Sequence, residues 1–168
     1  MPSAERRSYR GYYFLIAIVI LALDQVSKTL VVRNIALHQT VTVIPGFFSI
    51  SHVLNPGAAF SLFADASVYG PKALITFSSL ILVAIAIVLS RSRSGFTVTS
   101  LALSLIMGGA MGNLVDRLRF GSVIDFLMFK LGNYYWPDFN AADSAIVVGS
   151  LMLVADLFLS NKGPQSLS

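Results

Sequence analysis

Two carboxylates stand in places where a membrane-like sequence should not tolerate them without a reason: Asp125 in "SVIDFLMF" and Asp143 in "DFNAADSAIVVGSLMLVADLFL". Asp143 opens an apolar run long enough to cross a bilayer. Taken alone it reads as a helix start, with Asn140 as the cap and Asp143, three residues on, completing a capping box with Asp in place of the usual Glu. The positive end of the helix dipole would favour its carboxylate by about 0.3–1 kcal/mol. Asp125 has no such local reason, because Val123, Ile124, Phe126 and Leu127 around it are all apolar. An Asp at mid-membrane costs about 2.5–3.5 kcal/mol and less near the surface, so two at one boundary point to a paired acid site. The chain between them spans on the order of 60 Å when extended and can readily fold back to join them. Adjacent carboxylates share a proton. One then takes a proton from water while its protonated partner hydrogen-bonds to a carbonyl oxygen. That is the chemistry of aspartic proteases, and it needs neither a metal nor a nucleophilic side chain. Membrane carboxylates also form proton pathways, which leaves a small proton-coupled carrier as the alternative. Within the pair, the helix start favours the ionised form of Asp143, so the resting proton is expected on Asp125.

Other polar residues gather near the same boundary. In "GGAMGNLVDRLRF" the stripe Ser104, Gly108 and Gly112 allows close helix packing. Asn113 and Arg117, four apart, share one helix face. They could bind the carbonyls or carboxylates of an extended substrate; Arg117 could equally pair with Asp116 or reach to the surface. "DQVSK" sets Asp24 and Lys28 one turn apart, which reads as a structural ion pair. A Ser27–Lys28 nucleophile pair has poor geometry, since adjacent helical residues point about 100° apart. Asn55 and Gly57 form a turn that a ligand could approach closely. Zinc is not expected, because there is no HExxH or cysteine and His38 and His52 lie apart. No nucleotide-binding motif occurs, and no cofactor is expected. Asp156, deep in the last apolar run, has no evident partner and is expected to be buried and neutral.

These residues need a scaffold, and composition says which kind. Of 168 residues 55% are hydrophobic and only 12% charged, about half the charge of an ordinary soluble domain. The net charge of +4 is not a nucleic-acid footprint, because Arg6, Arg7, Arg10, Arg91 and Arg93 lie at the ends of apolar runs. The reading is a single domain, residues 1–168: an all-α integral membrane protein with four transmembrane helices near 12–32, 72–90, 96–115 and 141–160. The first apolar run lacks a cleavage site and is read as a retained helix. Basic clusters before it, in the "RSRSG" turn and at Lys162 put both termini in the cytoplasm. The loops near 33–71 and 116–140 are then outside. The first should hold a small extracytoplasmic β-sheet, with strands around Val41–Val43 and Phe48–His52 and a Pro45-Gly46 turn. "AAFSLF" should lie in the interface, able to cover a bound peptide. Tyr134, Tyr135 and Trp136 in the second loop suit headgroup level.

Four blocks in order, "DQVSK", "NPGAAF", "GGAMGNLVDRLRFGSVIDF" and "FNAADS", make the chain from about Tyr12 to Leu159 resemble the lipoprotein signal peptidase (signal peptidase II) family. The resemblance implies an aspartyl endopeptidase of the bacterial plasma (inner) membrane, with its active site at the extracytoplasmic face. Its substrates would be diacylglyceryl-modified prolipoproteins, cut on the N-terminal side of the lipidated cysteine. The family dyad falls on Asp125 and Asp143. Its other motif positions fall on Asp24, Lys28, Asn55, Gly57, Gly109, Asn113, Asp116, Arg117 and Asn140. The resemblance also implies inhibition by globomycin-type peptides and contact with membrane lipids. Ser122 stands where a bulkier residue is expected.

Overall fold

A computed structural model describes residues 9–57, 66–92 and 97–160. The elements run α1 (Arg10–Asn34), β1 (Thr40–Ile44), β2 (Phe48–Asn55), α2 (Ala66–Arg91), α3 (Val98–Phe120), β3 (Val123–Leu131), β4 (Tyr134–Tyr135) and α4 (Ala141–Ser160). Among the described residues four helices are long and apolar enough to cross a membrane. Their outward faces are apolar: Leu118, Leu157 and Phe158 are each more than 60% exposed. In water such a surface would be a liability; against lipid it is the expected one.

Without a hydrophobic drive between helices in lipid, close packing rests on small residues, and α3 is built for that on two sides. A β-carbon at Gly108 would lie 2.6 Å from the Ala17 carbonyl oxygen of α1. One at Gly109 would collide with the Ala142 carbonyl oxygen of α4, and one at Gly112 with the Asp24 carboxylate. Gly149 of α4 answers from the other side, against Ala102 and Ile106. Ser104, in the same stripe, is fully buried and returns its hydroxyl to the Ser100 carbonyl. The apolar cluster of Tyr13, Ile85 and Leu89 binds α1 to α2 at the far end.

Both helix ends of α3 are defined by side-chain and backbone caps. Thr97 accepts the Ser100 N–H at its start, and Gly121 takes a left-handed conformation (φ 72°) at its end. The helix therefore continues five residues beyond Val115, the end expected from hydropathy, because capping and not polarity stops it. Asp116 and Arg117 accordingly belong to the helix and not to a loop.

The β1–β2 hairpin forms where alternation placed it. The sheet, however, does not belong to the first loop alone. Its order is β1-β2-β3-β4, all antiparallel, and half of it comes from the loop between α3 and α4. "VIDFLMFKL" lacks period-2 alternation because its first four residues are all buried, so periodicity was silent there. The stretch "AAFSLF", the basic residues Arg6, Arg7, Arg93 and Lys162, and both tails lie outside the described residues.

Candidate active site

The sheet register delivers Asp125. It pairs with Val53, and Asn55 lies two residues further along the same face of β2. Asn55 Nδ2 donates to Asp125 Oδ2 at 2.8 Å. The amide is turned that way because its Oδ1 accepts the Gly57 N–H at 2.9 Å. Gly57 has φ +102°, and a β-carbon there would press on Leu74 of α2, so the turn needs glycine.

Asp143 comes from the start of α4. The capping box forms as the sequence implied: Asp143 N–H donates to Asn140 Oδ1 at 2.9 Å, and Asn140 N–H to Asp143 Oδ2 at 3.3 Å. Just upstream, Phe139 pairs with Leu127 of β3 through hydrogen bonds in both directions. That bridge sets the helix start against the strand bearing Asp125. Asn140, fully buried, then reaches across: its Nδ2 donates to Asp125 Oδ1 at 2.7 Å. Asn140 thus touches both carboxylates, that of Asp125 through its side-chain amide and that of Asp143 through its backbone N–H.

Behind the pair runs a buried polar network. Asn113 Nδ2 donates to Asp143 Oδ1 at 2.7 Å. Its Oδ1 accepts from Lys28 Nζ at 3.1 Å and from Asn140. Lys28 is 2.8 Å from both Asp24 and Asp116. Asp24 takes the N–H of Ala142, an orphan donor in the first turn of α4, at 2.9 Å. Asp116 accepts the Ile124 N–H at 3.2 Å, fixing the first residues of β3. Gln25 bridges Asp24 and Asp116 and the Gly112 carbonyl. The sequence reading did not single out Gln25; its place inside "DQVSK" was the available signal.

Electrostatically the two acids differ in setting. Burial pushes the Asp125 carboxyl up to about 6; the charge of Asp143 adds to this, and the bonds from Asn55 and Asn140 oppose it. Arg117 lies within electrostatic reach of Asp143, Asp116 and Asp125. Its Nε is buried with no hydrogen-bond partner among the described residues, and Asp116 is committed to Lys28. Asn113, by contrast, is buried and bonds within the protein to Asp143, Lys28 and Asn140. Ser27 bonds the Asp24 carbonyl, and Lys28 is fully engaged, so the two do not form a nucleophile pair. Ser122 is buried beside the network, with its hydroxyl near the Phe120 carbonyl. Asp156 is neither buried nor without a partner: it is half-buried, and Thr99 Oγ1 donates to it at 2.6 Å.

Asp143 also forms part of the wall of an apolar cavity of about 540 Å³. Phe47, Phe129, Trp136 and Phe139 from the sheet line one side, Val147 and Val148 of α4 the other. Phe129 stacks on Phe48 and Phe139.

A family model described as signal peptidase (SPase) II matches residues 16–159. The chain belongs to the signal peptidase II family. Among its relatives, the lipoprotein signal peptidase of Desulforapulum autotrophicum is 46% identical over 89% of this chain and 93% of that one. That of Pseudomonas aeruginosa (strain PAO1) is 38% identical over 99% and 98%. Two solved structures described as bacterial membrane enzymes, obtained by the in meso method at 2.3 and 1.9 Å resolution, share the fold at 28% identity. Their TM-scores are 0.79, covering 94% of this chain and 95% of that one, and 0.77, covering 88% and 92%. Signal peptidase II membership spans both carboxylates and every residue of the network between them.

Proposed function

We propose that this protein removes signal peptides from diacylglyceryl-modified prolipoproteins, cutting on the N-terminal side of the lipidated cysteine, with Asp125 and Asp143 as the catalytic pair. The observation that carries the reading is the joint grip of Asn140 on both carboxylates, one of which, Asp143, forms part of the wall of an apolar cavity. In the resting state Asp125 holds the proton. Its hydroxyl hydrogen-bonds to the scissile carbonyl oxygen while Asp143 takes a proton from water; the resulting hydroxide adds to the carbonyl carbon as Asp125 gives its proton to the carbonyl oxygen. Asp143 then passes its proton to the departing amide nitrogen as the C–N bond breaks, and Asp125 recovers its own. Arg117, with its unpaired Nε, is the residue placed to hold a substrate carbonyl. Asp24, Lys28, Asn113, Asp116 and Asn140 hold the pair in place, Asn55 and Gly57 orient Asp125, and Gly109 lets α4 approach. The apolar cavity suits the hydrophobic signal segment or an acyl chain.

A substrate anchored by lipid arrives at membrane depth, while water must still reach the acids, so a site where helix ends meet a sheet serves both needs. A carrier would place its ionisable groups near the midplane on broken helices; here they sit on a strand and in a first helical turn. We place the site at the extracytoplasmic face of the bacterial plasma membrane, both termini inside, and expect globomycin-type peptides to compete for it. The test is cleavage of a diacylglyceryl-modified proprotein by purified protein in detergent. Asp125→Asn and Asp143→Asn should each lower the rate by about 10²–10⁴-fold, and EDTA should leave it unchanged. Full activity in either variant would remove that residue from the pair.

A further inference from the structure

A second, smaller cleft opens on the other side of the polar network, between the site ends of α1 and α3. It measures about 230 Å³ and is lined by Gln25, Lys28, Arg33, Asp116, Arg119 and Ile124, among others. Lys28 and Asp116 form its floor, already paired with each other. Arg33 and Arg119 stand in the last turns of their helices. A basic residue in a last turn is ordinary, because it complements the helix dipole. Two of them lining one cleft is not explained that way. Neither guanidinium is in an ion pair among the described residues, and Arg119 is instead held over the Phe120 ring at 4.8 Å. The lining carries three cations against the Asp116 carboxylate. With Asp24 behind Lys28, the excess is a single positive charge, which a monoanionic phosphodiester matches.

We propose that this cleft binds the phosphate headgroup of an anionic phospholipid between Arg33 and Arg119. Its volume is below the roughly 300–1,000 Å³ of a site for a drug-sized ligand, so it holds a headgroup and leaves the acyl chains outside. Val32 on α1 and Phe120 at the end of α3, both in the lining and each about half exposed, flank its opening, and they supply the apolar surface along which those chains lie. That flank is why the occupant is a lipid and not a free anion. Arginine suits the role, since its planar fork meets two phosphate oxygens at once.

The experiment is native mass spectrometry of the full chain released from nanodiscs of equal phosphatidylglycerol and phosphatidylcholine with identical acyl chains. The wild-type protein should retain phosphatidylglycerol about 30-fold over phosphatidylcholine, as two interfacial arginines imply. Arg33→Gln/Arg119→Gln should bring the two lipids to parity, and Arg33→Lys/Arg119→Lys should keep most of the preference. Thermal unfolding in pure phosphatidylcholine shows whether the double Gln variant is folded. If it is not, the single Gln variants decide, each removing part of the preference. An absent preference in wild type, or one unchanged in the Gln variants, overturns the site. Displacement of the lipid by millimolar inorganic phosphate or glycerol phosphate would assign the cleft to a soluble anion and overturn the lipid reading.

Discussion

At the scale of single residues, Asp125 is the group whose chemistry is most altered by its surroundings. Only 2% exposed, it titrates near 6 where an ordinary Asp titrates near 3.9. The folded protein therefore binds more protons than the unfolded chain between those values, and stability falls as pH rises through them. Asp125→Asn cannot ionise. Wild type should accordingly lose thermal stability relative to this variant between about pH 4 and pH 7, with the gap closing below about pH 4. Melting temperatures in detergent across that range check it, and a pH-independent gap would contradict the assignment. Lys28 presents the opposite case. It is 1% exposed and touches two carboxylates, so Lys28→Met leaves buried charge without its partner. A loss of about 3–5 kcal/mol is expected, read as the shift in chemical unfolding in mixed micelles; a variant as stable as wild type would mean the carboxylates are not ionised.

Among elements, α3 holds the others in register through its glycines. Gly109 meets the first turn of α4, the turn that carries Asp143, and Asn113 one turn further on reaches the same carboxylate. Gly109→Ala must push α4 away, costing about 1–3 kcal/mol of stability and separating Asn113 from Asp143. Cleavage should fall more than stability alone accounts for. Gly11→Ala is the control: it lies in α1 with nothing within 4 Å of an added β-carbon, and both activity and melting temperature should hold. Equal behaviour of the two alanines would show that close approach at α3 is not what sets the site.

For the whole molecule, the four helices and the sheet divide the chain into a bundle and a cap at one end, with Asp125 and Asp143, the pair we propose as catalytic, where they meet. The orientation we assign puts the sheet outside and the α2–α3 connection inside. The chain has no cysteine, so single ones report cleanly. In sealed cells, Leu131→Cys at the end of β3 should react with a membrane-impermeant thiol reagent at once. Ser92→Cys, just after α2, should react only after permeabilisation. The reverse pattern would invert the topology.

What could be read before folding is what depends on near neighbours. The four apolar runs follow from composition, and the β1–β2 hairpin from alternation around Pro45-Gly46. The Asn140–Asp143 cap follows from a spacing of three residues, and the Asp24–Lys28 pair from a spacing of four. Resemblance to a family marked the remaining site positions without saying what each does. What only the tertiary structure decided are contacts between residues far apart in the chain. Asn55 meets Asp125 across 70 residues, Asn113 meets Asp143 across 30, and Asp24 meets the Ala142 N–H across 118. Strand β3 escaped because its buried start has no period, and of the partners open to Arg117 the Asp116 carboxylate is taken by Lys28. Local spacing specifies which groups can cap or pair within a turn. Which acids meet at one asparagine depends on a strand register and a helix crossing, and those exist only once the glycines of α3 have let the helices close.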